Sequence, residues 1–199
     1  MLSKTKFLSG LQCEKKLWFE IHSPELAPPP SETKKRTFAF GHEVGARARE
    51  YFGEGCLIDR WPIEDAVDET NRALEEGTRF IYEATFISTG RVVKVDVLEV
   101  LDLGEKRVRI VEVKASNSVK NEHIPDIAFQ RAVLLDLGFT VESCSIMHLN
   151  RDCLDPDSRE LLMEVDVTDR ALAAEDMVRS HYPGFLDLWD KKQTPDISI

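Results

Sequence analysis

Long apolar runs are missing from this sequence. None reaches the length that spans a bilayer, and the N-terminus MLSKTKFLSG lacks the continuous apolar stretch of a signal peptide. The expectation is a cytoplasmic protein with no membrane partner. Paired cysteines are missing as well. Cys13, Cys56, Cys144 and Cys153 are scattered with no C-x-x-C, which argues against a disulfide framework and a complete zinc site. Basic charge is scarce: 26 Lys and Arg face 36 Asp and Glu, a formal net charge of −10 that is awkward for binding phosphate. The deficit is uneven. Residues 1–50 carry nine Lys or Arg against six Asp or Glu, a balance of +3 that leaves −13 for the rest. A basic part able to approach nucleic acid beside an acidic part able to collect a cation is one reading, and charge for solubility is the other.

What is present suits one domain of 199 residues with an ordinary apolar fraction of 42%. KFLSGLQCEKKLWFE spaces Phe7, Leu8, Leu11, Leu17, Trp18 and Phe19 as an amphipathic helix. A loop rich in Pro and charge follows, then helices over TFAFGHEVGARAREYF and IEDAVDETNRALEEG, the latter stopped by Gly77. The period then changes to that of strands in RFIYEATFIS, RVVKVDVLEVL and KRVRIVEVKA, joined by short hairpin-like connections. A helix over NEHIPDIAFQRAVLLDLG, strands at TVESCSIMHL and ELLMEVDVT, and a helix over 169–192 complete the chain. This order predicts an α/β fold, a three-layer α/β/α sandwich around a central mixed sheet of about four to five strands. Residues 1–79 form its N-terminal helical segment and residues 80–199 its sheet-bearing core, all one compact domain.

Charge inside the strands is the anomaly. In RVRIVEVKAS, Val108, Ile110, Glu112 and Lys114 share one face while Val111 and Val113 share the other. Asp96 lies between Val95 and Val97, and Glu83 shares its predicted face with Ile81, Thr85 and Ile87. Three adjacent strands thus each bring a carboxylate into a sheet that is apolar otherwise. Acids held together repel unless a cation lies between them, and hard oxygen donors suit Mg²⁺ or Mn²⁺ better than zinc. Lys114 could then orient the attacking water and stabilise charge on a phosphodiester, or simply pair with Glu112.

Asp96 followed by Glu112-x-Lys114 resembles the PD-(D/E)XK nuclease superfamily. Gln130 on the next helix and Gly41, His42 and Glu43 in FGHEVGARARE resemble motifs of its RecB-like branch. LSKTKFLSGLQCEKKLWFE, VKNEHIPDIAFQ and IMHLN resemble proteins related to the CRISPR-associated RecB-like exonucleases over nearly the whole chain. The resemblance implies a restriction-endonuclease-like fold and a hydrolase, a divalent-metal-dependent nuclease cleaving DNA, exonuclease-like on single-stranded ends. It implies that Asp96, Glu112 and the Val113 carbonyl ligate the metal, with His42 or Glu43 completing the shell and Glu83 as an outer or alternative ligand. Lys114 would orient or activate water, and Gln130 would hold Lys114 or the substrate. Asp126, one turn before Gln130, either faces the same pocket or caps the helix surface, and His123 is expected to be exposed. Lys114→Ala is expected to abolish cleavage with little change in melting temperature.

Two departures stand out. Relatives hold a [4Fe–4S] cluster with one early and three late cysteines; only Cys13 matches, the late trio being expected past TPDISI, so no cluster is expected from these cysteines. Where relatives carry a substrate-contacting Tyr four residues after the Gln, this chain has Leu134. The rival expectation is a catalytically silent nuclease-fold module that binds nucleic acid or a partner protein.

Overall fold

The computed structural model describes residues 1–155 and 157–196. The expected 80–199 core therefore includes positions 156 and 197–199, which lie outside the described residues. The element order is β1 (Leu2–Ser3), α1 (Lys4–Gln12), α2 (Glu14–His22), α3 (Glu32–Phe52), β2 (Cys56–Leu57), α4 (Ile63–Glu75), β3 (Phe80–Ser88), β4 (Arg91–Asp102), β5 (Arg107–Lys114), α5 (His123–Asp136), β6 (Thr140–Leu149), β7 (Leu162–Asp166) and α6 (Thr168–Asp187). The mixed sheet runs β2-β3-β4-β5-β6-β7, with β1 also paired to β4. Helices cover both faces, as the strand and helix periods predict. Seven strands exceed the four to five expected, because β1 and β2 are two-residue strands too short to leave a period in the sequence. They also make the N-terminal 79 residues part of the sheet rather than a purely helical segment. No helix among the described residues is long and apolar enough to cross a membrane.

One face carries α1, α4, α5 and α6 over a core that includes Phe7, Leu17, Ile81, Ile110, Phe129, Leu134, Ile146 and Phe185. The Phe7 ring stacks on Phe129 at 4.6 Å and meets Phe185 edge-on at 5.6 Å, which fixes α1 against α5 and α6. The other face carries α3, whose Val44 and Ala48 bury against Tyr82, Val97, Val111 and Met147. The single helix read over residues 6–20 is two helices. Cys13 is extended (φ −170°, ψ 117°), and the chain turns there so that Leu17 folds back over Gly10. A Cβ on Gly10 would lie 2.9 Å from Leu17 Cδ2 and 2.8 Å from the Phe185 ring, so only glycine admits this corner.

The strands that matter most are β3, β4 and β5. β3 and β4 pair antiparallel along nearly their whole length, but only the second half of β4 pairs with β5, ending at Val97↔Val111. β5 continues beside β6 as far as Lys114↔His148. β4 and β5 therefore diverge beyond Val97 and Val111. Parallel pairing of Leu2 with Arg91 and Ser3 with Val92 places β1 on the edge of β4 that β5 has left. The chain then enters α1 at Lys4, with the Ser3 hydroxyl accepting from the Lys6 amide as its cap.

Candidate active site

The fork between β4 and β5 leaves backbone donors without a strand partner, and side chains supply what the ladder cannot. Asp96 Oδ2 accepts the Val113 amide at 2.7 Å, bridging the two strands where their pairing stops. A strand residue directs its N–H and C=O to the same edge, so the Val113 carbonyl also points into the fork. Opposite Asp96 the β3 strand is kinked: Glu83 has φ +59° and is skipped in the pairing that joins Tyr82 to Val97 and Ala84 to Val95. The kink reverses the alternation. Ile81, Ala84 and Phe86 all face the α5 side. Glu83 borders the cavity on the α3 side, so it does not share a face with Ile81 as a regular strand would require. Thr85 and Ile87 alternate with Ala84 and Phe86 and stay on the side of Glu83. Its carboxylate lies 3.7 Å from Lys94 and borders the same cavity as Asp96.

Glu112 occupies the centre. Its side chain is 2% exposed, and both oxygens are fully engaged. Lys4 Nζ donates to Oε1 at 2.7 Å and Oε2 at 2.8 Å, Lys114 Nζ donates to Oε1 at 2.7 Å, and Gln130 Nε2 donates to Oε2 at 2.6 Å. Asp126 closes the network, accepting from Lys114 at 2.5 Å and from Gln130 at 3.2 Å. Asp126 therefore faces the site and is no surface cap. Gln130 donates to both carboxylates, Glu112 and Asp126, which also hold Lys114. His123 is buried, not exposed, and its Nδ1 accepts the Lys120 amide at 3.2 Å. Leu134 is fully buried in the core one turn beyond Gln130.

A cavity of about 310 Å³ opens on the α3 side of the fork, lined by Gly41, His42, Gly45, Arg49, Glu83, Asp96, Val97, Glu112 and Val113. Gly41, Gly45 and Arg49 recur every four residues and so present one helix face to the carboxylates. His42 belongs to this cavity. Glu43 instead borders a separate cavity with Phe40, Val44 and Arg47, so the structure divides the two candidate ligands that the sequence left together.

Electrostatics follow from this packing. Three buried or half-buried acids, Asp96, Glu112 and Asp126, meet two ammonium groups, Lys4 and Lys114. Burial, then the Glu112 charge, raises the Asp96 carboxyl to about 7. Burial disfavours the Glu112 anion too, but Lys4 and then Lys114 more than offset this and hold it well below the usual carboxylate range. Burial pulls Lys114 down, yet Glu112 and Asp126 outweigh it, so its ammonium titrates above the ordinary lysine range. Lys114 is thus a cation at neutral pH. Among the described residues no group of three or more His, Cys, Asp or Glu side chains is arranged to hold a metal as they stand. The donor chemistry nevertheless fits a hard divalent cation: Glu83, Asp96 and Glu112 bring carboxylates to the wall of one cavity, beside His42.

Lys4 and Arg49 are the site residues that the sequence reading missed. Lys4 is 108 positions from Glu112, and no spacing signal connects them. Arg49 had a signal, its place two turns after Gly41 on the same helix face.

No family model matches the sequence, and no curated protein matches it. Among solved structures, the chain is similar to an alkaline exonuclease, LHK-Exo, from Laribacter hongkongensis, with a TM-score of 0.51 and 12% identity over 95% of this chain and 87% of that one. The same exonuclease in complex with dAMP gives a TM-score of 0.49 at 12% identity and the same coverage. At this identity the likeness is one of architecture, and this chain is similar in fold to that exonuclease.

Proposed function

We propose that this protein is a divalent-metal-dependent nuclease that hydrolyses phosphodiester bonds in DNA, acting as an exonuclease on single-stranded ends. The observation that carries this is the convergence of Asp96, Glu112, Lys114 and Gln130 at the strand fork, beside a cavity lined by His42 and Glu83. The fold shared with an alkaline exonuclease supports the same reading. Asp96, Glu112 and the Val113 carbonyl would hold Mg²⁺ or Mn²⁺, with His42 and Glu83 on the cavity wall as further candidates. A bound divalent ion would lower the pKa of a coordinated water and neutralise charge on the phosphoryl oxygens.

The protein's own groups have definable parts. Glu112 and Asp126 fix the Lys114 ammonium from two sides, which leaves one N–H of the three free to donate. Because Lys114 stays protonated at neutral pH, it orients the attacking water and stabilises the developing anion; it does not remove the proton. Gln130 keeps Glu112 and Asp126 in register as a positioning residue. Arg49 supplies a positive charge on the cavity wall for a phosphate. The test is incubation of end-labelled single-stranded DNA with the protein and Mn²⁺ or Mg²⁺, beside Lys114→Ala and Asp96→Asn. Cleavage by the wild type alone is expected.

A second reading has its own support. Every acceptor position of Glu112 is occupied by a protein donor, as befits a nuclease fold that binds nucleic acid or a partner protein without cutting. Absence of cleavage on single-stranded DNA, duplex DNA and RNA with either ion would give this reading precedence.

A further inference from the structure

Lys4 is held unlike the other donors to Glu112. Lys114 is anchored a second time by Asp126 at 2.5 Å, and Gln130 a second time by Asp126 at 3.2 Å. Among the described residues, Lys4 Nζ makes its hydrogen bonds to Glu112 alone. Its other acidic neighbours, Asp126 at 3.7 Å and Asp96 at 3.9 Å, are at ion-pair range only. The ammonium thus sits in a wedge of three carboxylates, straddling both oxygens of Glu112 and facing Asp96. That is the place of a counter-ion.

A carboxylate has about four acceptor positions, and those of Glu112 are filled by Lys4 twice, Lys114 once and Gln130 once. No cation can share a Glu112 oxygen with Asp96 until one donor withdraws. Lys4 is the donor that also faces Asp96, at 3.9 Å, so it stands where a cation shared by the two acids would lie. Its side chain is 23% exposed, which leaves a route to solvent, and like charge would press it away from an incoming cation. Delivery of this lysine is architectural: β1 fills the edge of β4 vacated by β5, and α1 begins at the residue that follows.

We propose that the Lys4 ammonium is a built-in counter-ion occupying the place of a divalent cation at Glu112, so that cation binding requires Lys4 to leave. This rests on the divalent-cation reading of the site. In the resting protein Lys4 keeps Glu112 and Asp96 from repelling; in the loaded protein it is released to solvent, where its charge faces the cavity mouth. Affinity for the cation is therefore set by competition within the chain.

The experiment is calorimetric titration of Mn²⁺ into the wild type and Lys4→Met, paired with mass-spectrometric acetylation of Lys4 in the wild type with and without Mg²⁺, using exposed Lys16 as the internal reference. Removal of a competing unit charge at contact distance should tighten Mn²⁺ binding by about tenfold or more. Saturating Mg²⁺ should raise acetylation at Lys4 several-fold relative to Lys16. If the wild type binds Mn²⁺ and Lys4→Met binds it equally or more weakly, Lys4 is a permanent partner of Glu112 and the proposal is overturned. Should Lys4→Met not fold, the acetylation decides alone: unchanged labelling at saturating Mg²⁺ overturns the proposal. If neither protein binds Mn²⁺ and Mg²⁺ changes nothing, the divalent-cation reading itself fails, and the competition with it.

Discussion

Replacing Lys114 with alanine bears on both chemistry and stability. The ammonium bonds two carboxylates, each 2% exposed, at 2.7 Å and 2.5 Å. Breaking a buried ion pair by removing one partner costs about 3–5 kcal/mol. Here Lys4 stays on Glu112 and Gln130 stays on both acids, so the low end applies, about 3 kcal/mol, or a fall in Tm of about 6–12 °C for a chain of this size. A catalytic lysine on an open surface would leave Tm unchanged, as the sequence led one to expect; this one is also a structural counter-ion. The assay is urea unfolding followed by circular dichroism for Lys114→Ala, Asp126→Asn and the double variant. Contact at 2.5 Å predicts strong coupling, with the double variant about 1–2 kcal/mol more stable than the sum of the single losses implies. Additive losses, or a Tm for Lys114→Ala within about 2 °C of the wild type, would refute the reasoning.

Three further outcomes follow from the geometry. Because the folded pKa of Asp96 is raised to about 7, folding disfavours its ionised form: the contribution of Asp96 to stability is fully present below about pH 4, the unfolded value, and is lost as pH rises to about 7. Asp126, raised by burial and by Glu112, acts in the same direction, whereas Glu112 is ionised in both states across most of this window. Urea midpoints measured without divalent ions should therefore fall from pH 5 to pH 8, and Asp96→Asn should flatten that slope. His42→Ala should weaken Mn²⁺ binding measured by calorimetry more than Glu43→Ala, since His42 lines the carboxylate cavity and Glu43 a separate one. Gly10→Ala should lower stability in urea by about 1–3 kcal/mol, because the added methyl meets the Phe185 ring and Leu17.

The major elements were legible because their periods are long: twelve residues of β4, eight of β5 and fourteen of α5 carry enough repeats to fix type and order. The same periodicity hid the site's geometry. It placed Glu83 on a face with Ile81, whereas a single left-handed residue shifts the alternation, and no pattern of apolar positions announces such a kink in a glutamate. The convergence of acids was inferred from charges misplaced in a sheet. What neutralises them was not inferred, because Lys4 lies in a segment that reads only as a helix start. Asp126 was ambiguous for the opposite reason: its spacing from Gln130 is right for a shared pocket and equally right for a cap. Packing chose the pocket.

The left-handed backbone at Glu83 sets durability against use. A non-glycine residue there carries a conformational penalty on the order of 1 kcal/mol that glycine would escape. Glu83→Gly is thus the change that a search for heat resistance would select early, and it would strip an acid from the cavity wall. Screens of this protein that reward survival alone will drift towards tougher chains with emptier centres.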